Sequence, residues 1–184
     1  MTDVDDKSTG VYLEMERLTL RRFTWDDASN LFELDADPKV RRYLDRPLPP
    51  TREEVREHIL PSFMGWYERP GGFGYWAAEE TASGAFLGWF HLRPSRENLH
   101  EIELGYRLKK SAWGRGYATE GARALVQHGF KTLGIGRVTA TALAANAASI
   151  RVMEKAGLCF VERFWYKPGM EAVQYELDKA NYVW

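Results

Sequence analysis

The chain has little cysteine and no long apolar run, and both absences exclude classes of protein. Cys159 is the one cysteine among 184 residues, so the chain cannot build an internal disulfide framework or a zinc site of several thiolates. No apolar run approaches the roughly 20 residues that a membrane-spanning helix needs. The first residues, Met1-Thr-Asp-Val-Asp-Asp-Lys7, are acidic and polar, unlike a secretory signal. We therefore expect a cytoplasmic protein that does not bind membranes.

The chain also lacks an excess of charge of either sign. A formal net charge of −1 argues against a general nucleic-acid binder. A composition of 45% hydrophobic and 28% charged residues is that of an ordinary globular protein. We expect residues 1–10 to be a loose, flexible tail and residues 11–184 to form a single domain. The oligomeric state stays open, a homodimer included.

Hydrophobic periodicity and capping residues predict a mixed α/β domain with one central sheet. A first strand is expected over 18–23. Helices are expected to begin at Thr24, Asp37 and Thr51, the last of them kinked or divided at Pro61. The later strands are predicted over residues 73–79, 85–92, 100–108, 137–143, 158–166 and 171–177, and the later helices over 118–133 and 146–156.

The segment Ser111-Ala-Trp-Gly-Arg-Gly-Tyr-Ala-Thr-Glu120 joins a strand to a helix through a Gly-x-Gly turn. Glycines let several backbone N–H groups face one point, the helix N-terminus adds free donors, and Arg115 can add a full charge. A phosphate or pyrophosphate suits such a turn, although two glycines also serve a turn without a ligand. The Gly-Lys-Ser/Thr ending of a Walker loop is missing, and Thr119 stands where a dinucleotide fingerprint has its third glycine.

A second group of polar residues follows the strand at 137–143. Asn146 and Ser149 are both residue types that begin helices, and capping explains each of them. Asn146 has a second interpretation, because an amide at the end of a strand in an open α/β sheet can also bind a ligand.

Three segments together resemble a known superfamily. They are Glu103-Leu-Gly-Tyr106, Trp113-Gly-Arg-Gly-Tyr-Ala-Thr-Glu120 and Asn146-x-x-Ser149-Ile-Arg-Val-Met-Glu-Lys-Ala-Gly157. They resemble the GNAT superfamily of acetyl-CoA-dependent N-acetyltransferases, and within it the ribosomal-protein N-terminal acetyltransferases. The resemblance implies a GNAT fold, with a single, mostly antiparallel, splayed sheet flanked by helices. It also implies acetyl-CoA as co-substrate and no metal. Trp113 departs from the family, which usually has Gln or Arg there.

The resemblance implies a CoA site made mainly of backbone. The amides that would hold the pyrophosphate are those of Gly114, Arg115, Gly116, Tyr117, Ala118 and Thr119. The strand segment that would pair with the pantetheine arm is Tyr106, Arg107 and Leu108. Asn146 would contact the pantetheine or the thioester.

Families of this type transfer the acetyl group by direct attack of the amine, so Cys159 is not required as a nucleophile and is expected to be buried between Leu158 and Phe160. Glu103 is the favoured general base, directly or through a water molecule. The alternative is that Glu103 is solvated or paired with Arg107 or His100. The two histidines His91 and His100 are weaker candidates for the base.

The general acid is less defined. Many members of the superfamily carry a tyrosine on the helix after the Asn motif, and the matching turn here carries Met153. The ribosomal branch uses a serine instead, which matches Ser149. Catalysis without an acid also remains open, because a CoA thiolate is a fair leaving group.

The acceptor is expected to be a primary amine, either a protein N-terminus or a small molecule. Four tryptophans are candidates for the walls of its pocket or for the core: Trp66, Trp76, Trp89 and Trp165. Two alternatives to an acetyltransferase stay open. One is a non-catalytic acyl-CoA-binding module, and the other is a transferase that uses another acyl-CoA such as succinyl-CoA.

Overall fold

The computed structural model describes residues 10–46, 48–95 and 101–183. Within them, one sheet of eight strands extends through the molecule. Its strands are β1 (Val11–Glu14), β2 (Leu18–Arg21), β3 (Gly74–Glu80), β4 (Phe86–Pro94), β5 (Ile102–Leu108), β6 (Arg137–Leu143), β7 (Cys159–Lys167) and β8 (Met170–Asp178). Residues 1–9 of the expected tail and His100 lie outside the described residues.

Helical segments flank both faces of this sheet. They are α1 (Ala28–Ala36), α2 (Pro38–Arg41), α3 (Arg52–Glu54), α4 (Leu60–Met64), α5 (Tyr117–Lys131) and α6 (Ala147–Lys155). A π turn over Val55–Ile59 joins α3 to α4, and 3₁₀ turns cover Trp25–Asp27, Lys110–Ala112 and Lys179–Asn181.

The strands lie in the order β1-β2-β3-β4-β5-β6-β8-β7. Neighbouring strands are antiparallel except for β5 and β6, which are parallel and paired at Ile102↔Val138 and Glu103↔Thr139. The register between β5 and β6 extends no further within the described residues, so the two strands part toward their C-terminal ends. The predicted mixed α/β fold, with one mostly antiparallel sheet flanked by helices, is confirmed.

Each face of the sheet carries its own apolar core, because side chains alternate along a strand. On one face, Phe90, Leu104 and Leu125 belong to a large cluster beneath α5 and α6. On the other face, Trp89 packs with Leu34 of α1 in a smaller cluster. The opening where β5 and β6 part therefore has α5 and α6 on one side and the α1–α4 segment on the other.

The capping residues that predicted helix starts act as expected. Thr24 and Asp27 form a reciprocal capping box. The Asp37 carboxylate accepts a hydrogen bond from the Lys39 N–H at 2.8 Å. The Thr51 hydroxyl accepts one from the Glu54 N–H at 3.1 Å. These side chains satisfy amide donors that the first helical turn leaves without partners.

The helical segment after Thr51 is divided near Pro61, as predicted. Pro61 has no N–H to donate to the carbonyl four residues earlier. A π turn covers Val55–Ile59, and α4 begins at Leu60, so Pro61 lies in the first turn of α4.

Two features differ from the sequence-based expectations. Strand β1 was not predicted, because Val11–Glu14 is a short edge strand without a clear alternation of apolar and polar residues. The expectation of a buried Cys159 is wrong, since its side chain is exposed. It lies in β7, the last strand of the sheet, where the neighbouring Phe160 is also 56% exposed.

We expect the packing of α5 on the sheet to depend on Gly121. A Cβ atom at this position would lie 2.4 Å from Cζ of Phe90 and 3.0 Å from Cδ2 of Leu18. Gly121→Ala should therefore lower the free energy of unfolding by about 1–3 kcal/mol, although alanine favours a helix by about 1 kcal/mol. Gln127→Ala, exposed on the same helix, is the control and should change it by less than about 0.5 kcal/mol. Urea unfolding measures both; a Gly121→Ala protein as stable as the wild type would contradict this packing.

Candidate active site

The parting of β5 from β6 leaves a strand edge that faces open space. The Lys109 N–H donates to the carbonyl of Leu87 in the neighbouring antiparallel strand at 2.7 Å. Backbone groups alternate in direction along a strand, so the N–H groups of Gly105 and Arg107 also point toward β4. Those of Tyr106 and Leu108 point the other way, toward β6, which has already diverged at that level.

A groove with a volume of about 720 Å³ occupies this opening. The edge of β5 and the end of β6 form its floor. The N-terminal turn of α5 and one side of α6 form a wall, and α2 with the β7–β8 hairpin closes the far end. Most of the predicted site residues line it, namely Glu103, Tyr106, Arg107, Leu108, Gly114, Gly116, Ala118, Thr119, Asn146 and Ser149.

The Gly-Arg-Gly turn presents backbone donors to one wall of the groove. Gly114 and Gly116 have φ angles of +73° and +89°, in the left-handed region that glycine adopts at low cost. Gly116 is the N-cap of α5, and the first helical bond of that turn is donated by the Glu120 N–H to the Gly116 carbonyl. The three amides from Tyr117 to Thr119 are therefore not used within the helix, and free amides at the positive end of a helix dipole are able to bind an anion.

The side chains of Arg115 and Tyr117 point away from the groove. The Arg115 guanidinium pairs with Glu80 at 2.9 Å, and the Tyr117 hydroxyl bonds to the same carboxylate. The hydrogen bond from Tyr117, with help from Ser83 and Arg115, holds the pKa of Glu80 below its usual value. On the outer side, Arg17 donates to the Arg115 carbonyl at 2.9 Å. These contacts hold the turn from outside, so the charge of Arg115 does not enter the groove.

Two basic residues that the sequence analysis did not select lie in the groove instead. Arg151 and Lys155 of α6 both line it. They are four residues apart, so they share one face of the helix. That spacing was the signal that could have identified them. Arg123 of α5 donates to the Lys155 carbonyl at 2.7 Å and ties the two helices together at this point.

Asn146 both caps α6 and lines the groove. Its side-chain oxygen accepts a hydrogen bond from the Ser149 N–H at 3.2 Å. The cap uses only the oxygen, which leaves the amide NH₂ to act as a donor. Asn146 can therefore cap α6 and also donate a hydrogen bond to a ligand, which are the two roles considered from the sequence.

Ser149 is joined to Tyr106 at the start of α6. The Tyr106 hydroxyl lies 3.0 Å from Oγ of Ser149 and donates to the carbonyl of the same residue at 3.1 Å. Burial raises the pKa of Tyr106 to about 12. Met153, which occupies the turn where many relatives carry a tyrosine, is 1% exposed and belongs to the core.

Glu103 lies in the groove beside a buried cation. Nη2 of Arg93 is 2.9 Å from its carboxylate, and Nε2 of His91 is 3.8 Å away. Arg93 is itself held by a hydrogen bond from Nε to the Tyr75 hydroxyl at 2.8 Å. Arg93 is thus a partner of Glu103, whereas Arg107 pairs with Asp35 instead; His100 lies outside the described residues. His91 does not itself line the groove, but it contacts Glu103, which does.

Arg107 lines the groove with a side chain that is already compensated. Its guanidinium pairs with Asp35 at 2.6 Å and lies 5.0 Å from the ring centre of Trp89. Asp35 belongs to α1, so this pair joins the strand edge to the helical segment that covers the other face of the sheet.

The far end of the groove is formed by residues around α2 and the final hairpin. Lys39, Val40, Tyr43, Leu44 and Asp45 line it from one side, and Tyr166, Met170 and Ala172 from the other. Asp45 also pairs with Lys167 across this end.

The four tryptophans proposed as walls are not among the residues that line this groove. Trp76 and Trp89 are buried in the two cores, and Trp165 is 67% exposed. The tryptophan that does line it is Trp113, whose indole N–H donates to the Leu108 carbonyl at 2.9 Å.

Comparison with known proteins shows the family to which the chain belongs. The family described as "Acetyltransferase (GNAT) domain" matches residues 17–159. The chain therefore belongs to the GNAT family of acetyltransferases, which confirms the resemblance seen in the sequence motifs and identifies the protein as an N-acetyltransferase-type enzyme.

Individual relatives agree over most of the chain. The FsC-acetyl coenzyme A-N(2)-transacetylase of Aspergillus fumigatus is 32% identical over 185 residues, covering 93% of this chain and 77% of that protein. The uncharacterized protein YkkB of Bacillus subtilis is 35% identical over 163 residues, covering 85% of this chain and 91% of that protein. The solved GNAT acetyltransferase of Bacillus anthracis superposes with a TM-score of 0.79 at 25% identity, covering 91% and 98% of the two chains.

No helix within the described ranges is long and apolar enough to cross a membrane.

The anion site predicts opposite effects of one substitution on stability and on binding. Thr119 is the third residue of α5 and lines the groove. In Thr119→Glu, the carboxylate should stabilise the helix N-terminus by about 0.3–1 kcal/mol but repel a bound phosphate. We expect a Kd for CoA at least about tenfold higher than in the neutral control Thr119→Gln. Calorimetric titration and thermal unfolding measure both effects. Equal Kd values for the two variants would place the phosphates elsewhere.

Proposed function

We propose that this protein transfers an acetyl group from acetyl-CoA to a primary amine by direct attack in a ternary complex. The observation that carries the proposal is one continuous groove in which a free strand edge, an anion-binding turn and a carboxylate meet. The strand edge suits the amides of a pantetheine arm, the turn suits a pyrophosphate, and the carboxylate suits an ammonium group that must lose a proton.

In this proposal the phosphates of CoA bind between two helices. The pyrophosphate meets the amides of Tyr117, Ala118 and Thr119, and the cations of Arg151 and Lys155 face it from α6. Support comes from Ala118, Thr119, Arg151 and Lys155, which all line the groove, and from Tyr117, which begins the same turn of α5. Charge-assisted bonds to phosphate are about twice as strong as neutral ones, so basic residues here favour CoA over uncharged ligands.

The pantetheine arm then extends along β5 as an added strand. The backbone groups of Tyr106 and Leu108 face it, and Asn146 offers its amide donor from the opposite side. An extended peptide-like ligand gains affinity from such backbone bonds. The acetyl group reaches the point at which β5 and β6 separate, beside Glu103.

The charges around this point favour a neutral acyl group. Arg107 is a cationic residue on the β5 edge, and its guanidinium forms an ion pair with the Asp35 carboxylate at 2.6 Å. A succinyl carboxylate would compete with Asp35 for that guanidinium, whereas an acetyl methyl group requires no cation. We therefore propose acetyl-CoA as the natural donor.

Glu103 takes the proton from the amine, directly or through one water molecule. Arg93 at 2.9 Å holds the carboxylate in position to accept this proton, and the carboxylate attracts the ammonium group of the substrate. The oxyanion of the attacked carbonyl is stabilised by the backbone N–H of Tyr106 or Leu108.

The acceptor enters from the end bounded by α2 and the β7–β8 turn, and we place the reaction in the cytoplasm on the basis of composition. Names of relatives point to different amines: one is an N(2)-transacetylase of FsC, and a Bacillus subtilis relative is named as a ribosomal N-acetyltransferase. Both a small molecule and a protein N-terminus remain within the proposal, because each presents a primary amine.

The direct test combines binding with turnover. Calorimetric titration of the purified protein with acetyl-CoA, CoA and succinyl-CoA should give micromolar Kd values for acetyl-CoA and CoA. An amine panel that includes peptides, amino acids and polyamines should then release free thiol from acetyl-CoA. Binding without thiol release on any amine would instead support an acyl-CoA-binding module, and equal turnover of succinyl-CoA would contradict the assignment of the donor.

A pair of neutral substitutions tests the role of Glu103. We expect Glu103→Gln to lower kcat/KM for the amine by about 100-fold, the lower end for loss of a general base, with the Kd for acetyl-CoA unchanged. Glu101→Gln, two residues earlier in the chain, just before β5 and not among the residues that line the groove, is the matched control and should keep wild-type kinetics. Full activity of Glu103→Gln, in a protein that still unfolds at the wild-type temperature, would exclude the carboxylate as base.

A further inference from the structure

The strand β7 is exposed along almost its whole length. It is the last strand of the sheet and, among the described residues, pairs on one side only, with β8. Eight of its nine residues are exposed, and Phe164 is half-buried. Of the nine large apolar side chains that are exposed in the described ranges, four lie in this one strand, namely Phe160, Val161, Trp165 and Tyr166. The outer edge of β7 therefore combines unpaired backbone groups with apolar side chains, which is the combination that recruits another strand.

The two edges of the sheet differ in how they are protected. Natural proteins keep edge strands from pairing by making them short, by placing prolines in them or by bulges that twist the edge away. The edge strand β1 has only four residues. The strand β7 has nine residues and no proline. Its two register shifts, near Val161 and Tyr166, leave residues 162–165 as a regular segment between them.

We propose that β7 pairs antiparallel with β7 of a second copy of this chain, with the two-fold axis at Phe164, so that one sheet extends through a homodimer. This inference does not depend on the substrates of the proposed function. It commits to a second copy because the segment 162–165 is complementary to itself in one register.

Symmetry limits which residues can lie opposite one another. Two copies of the same edge meet in a single continuous sheet when the two-fold axis is perpendicular to the sheet. Residues directly opposite in antiparallel strands carry their side chains on the same face. Arg163 and Trp165 share one face of β7, as their positions opposite β8 show. Glu162 and Phe164 share the other face. Each side chain must therefore lie opposite its own copy or opposite a residue of its own face.

Charge excludes two of the four possible centres, and the bulge disfavours a third. An axis at Glu162 or at Arg163 would place two like charges directly opposite each other, which is destabilising. An axis at Trp165 would set Phe164 against the irregular backbone near Tyr166. The axis at Phe164 avoids both problems.

The register centred on Phe164 also creates favourable contacts. The two Phe164 rings lie opposite each other, and aromatic cross-strand pairs stabilise a sheet. Arg163 lies opposite the partner's Trp165, and symmetry repeats this pair on the other side of the axis. An ion pair with Glu171 at 2.9 Å orients the Arg163 guanidinium on this face. A guanidinium beside an indole ring is a favourable cation–π arrangement.

The first test is the mass of the protein in solution. Light scattering after size exclusion should give twice the 21.2 kDa mass of the chain at about 100 µM protein. We expect a dimer Kd in the micromolar range, because one pair of strands buries a small interface. Phe164→Glu brings two carboxylates together at the axis and should raise this Kd at least about 100-fold.

The matched control lies on the other edge of the same sheet. Val11 of β1 is 40% exposed, so Val11→Glu adds the same charge to an edge strand without touching β7. It should leave the dimer Kd unchanged. Thermal unfolding of both variants at a concentration at which the wild type is monomeric checks that each is folded.

Cross-linking tests the register itself, in a Cys159→Ser background that removes the natural thiol. In Phe164→Cys, the two Cα atoms should lie about 4.5–5.5 Å apart across the axis, which is within the range of a disulfide. Mild oxidation should therefore give a covalent dimer on a non-reducing gel. In Glu162→Cys the two Cα atoms should lie more than about 10 Å apart, so this exposed neighbour should stay uncross-linked. Cross-linking of Glu162→Cys without that of Phe164→Cys would overturn the register and the proposal with it.

Three further results would overturn the proposal. The first is a monomer at every concentration up to about 100 µM. The second is a dimer that Phe164→Glu does not weaken, because its interface would lie elsewhere. The third is slower amide exchange in β7 that appears only when a peptide is added to a protein that stays monomeric. That result would assign the edge to an extended peptide, which can add to a sheet in the same way.

Discussion

The separation of β5 from β6 is the constraint on which the rest of the site depends. The two strands share the register Ile102↔Val138 and Glu103↔Thr139 and then diverge. Backbone hydrogen-bonding groups that a closed sheet would satisfy are thereby exposed along one edge. A ligand with its own amides can satisfy them, so a gap in the sheet becomes a binding site without any special side chain.

The charged residues around the groove hold this opening in shape. Arg107 pairs with Asp35 of α1, and Arg93 of β4 pairs with Glu103 of β5, so the strand edge is tied to α1 and to the neighbouring strand. Arg17 and Glu80 hold the Gly-Arg-Gly turn from outside. Each pair orients a backbone segment or a carboxylate. Arg151 and Lys155 bring positive charge to the end of the groove where we propose that the phosphates bind.

Local signals in the sequence predicted the fold and the Gly-Arg-Gly turn that begins α5. Capping residues and glycines act within a few residues of where they stand, so Thr24, Asp37, Thr51 and the turn at 114–116 were placed correctly. Side-chain partners across the sheet were not predictable in this way. The directions of Arg115 and Glu103 depend on Glu80 and Arg93, which are neighbours only after the strands pair. Tyr106 was expected to contribute its backbone, and its hydroxyl contact with Ser149 depends on the crossing of β5 beneath α6.

Residue-resolved amide exchange, followed by NMR with and without CoA, tests the central claim most directly. The account predicts slower exchange at Tyr106 and Leu108 and at Tyr117, Ala118 and Thr119 when CoA is added. Gly105 and Arg107, whose amides already point to β4, should not change. Slower exchange at every second amide of β5 is expected because only one edge of the strand is open to the ligand. Uniform protection of all four β5 amides, or none at any of them, would contradict the placement of CoA in the opening between β5 and β6.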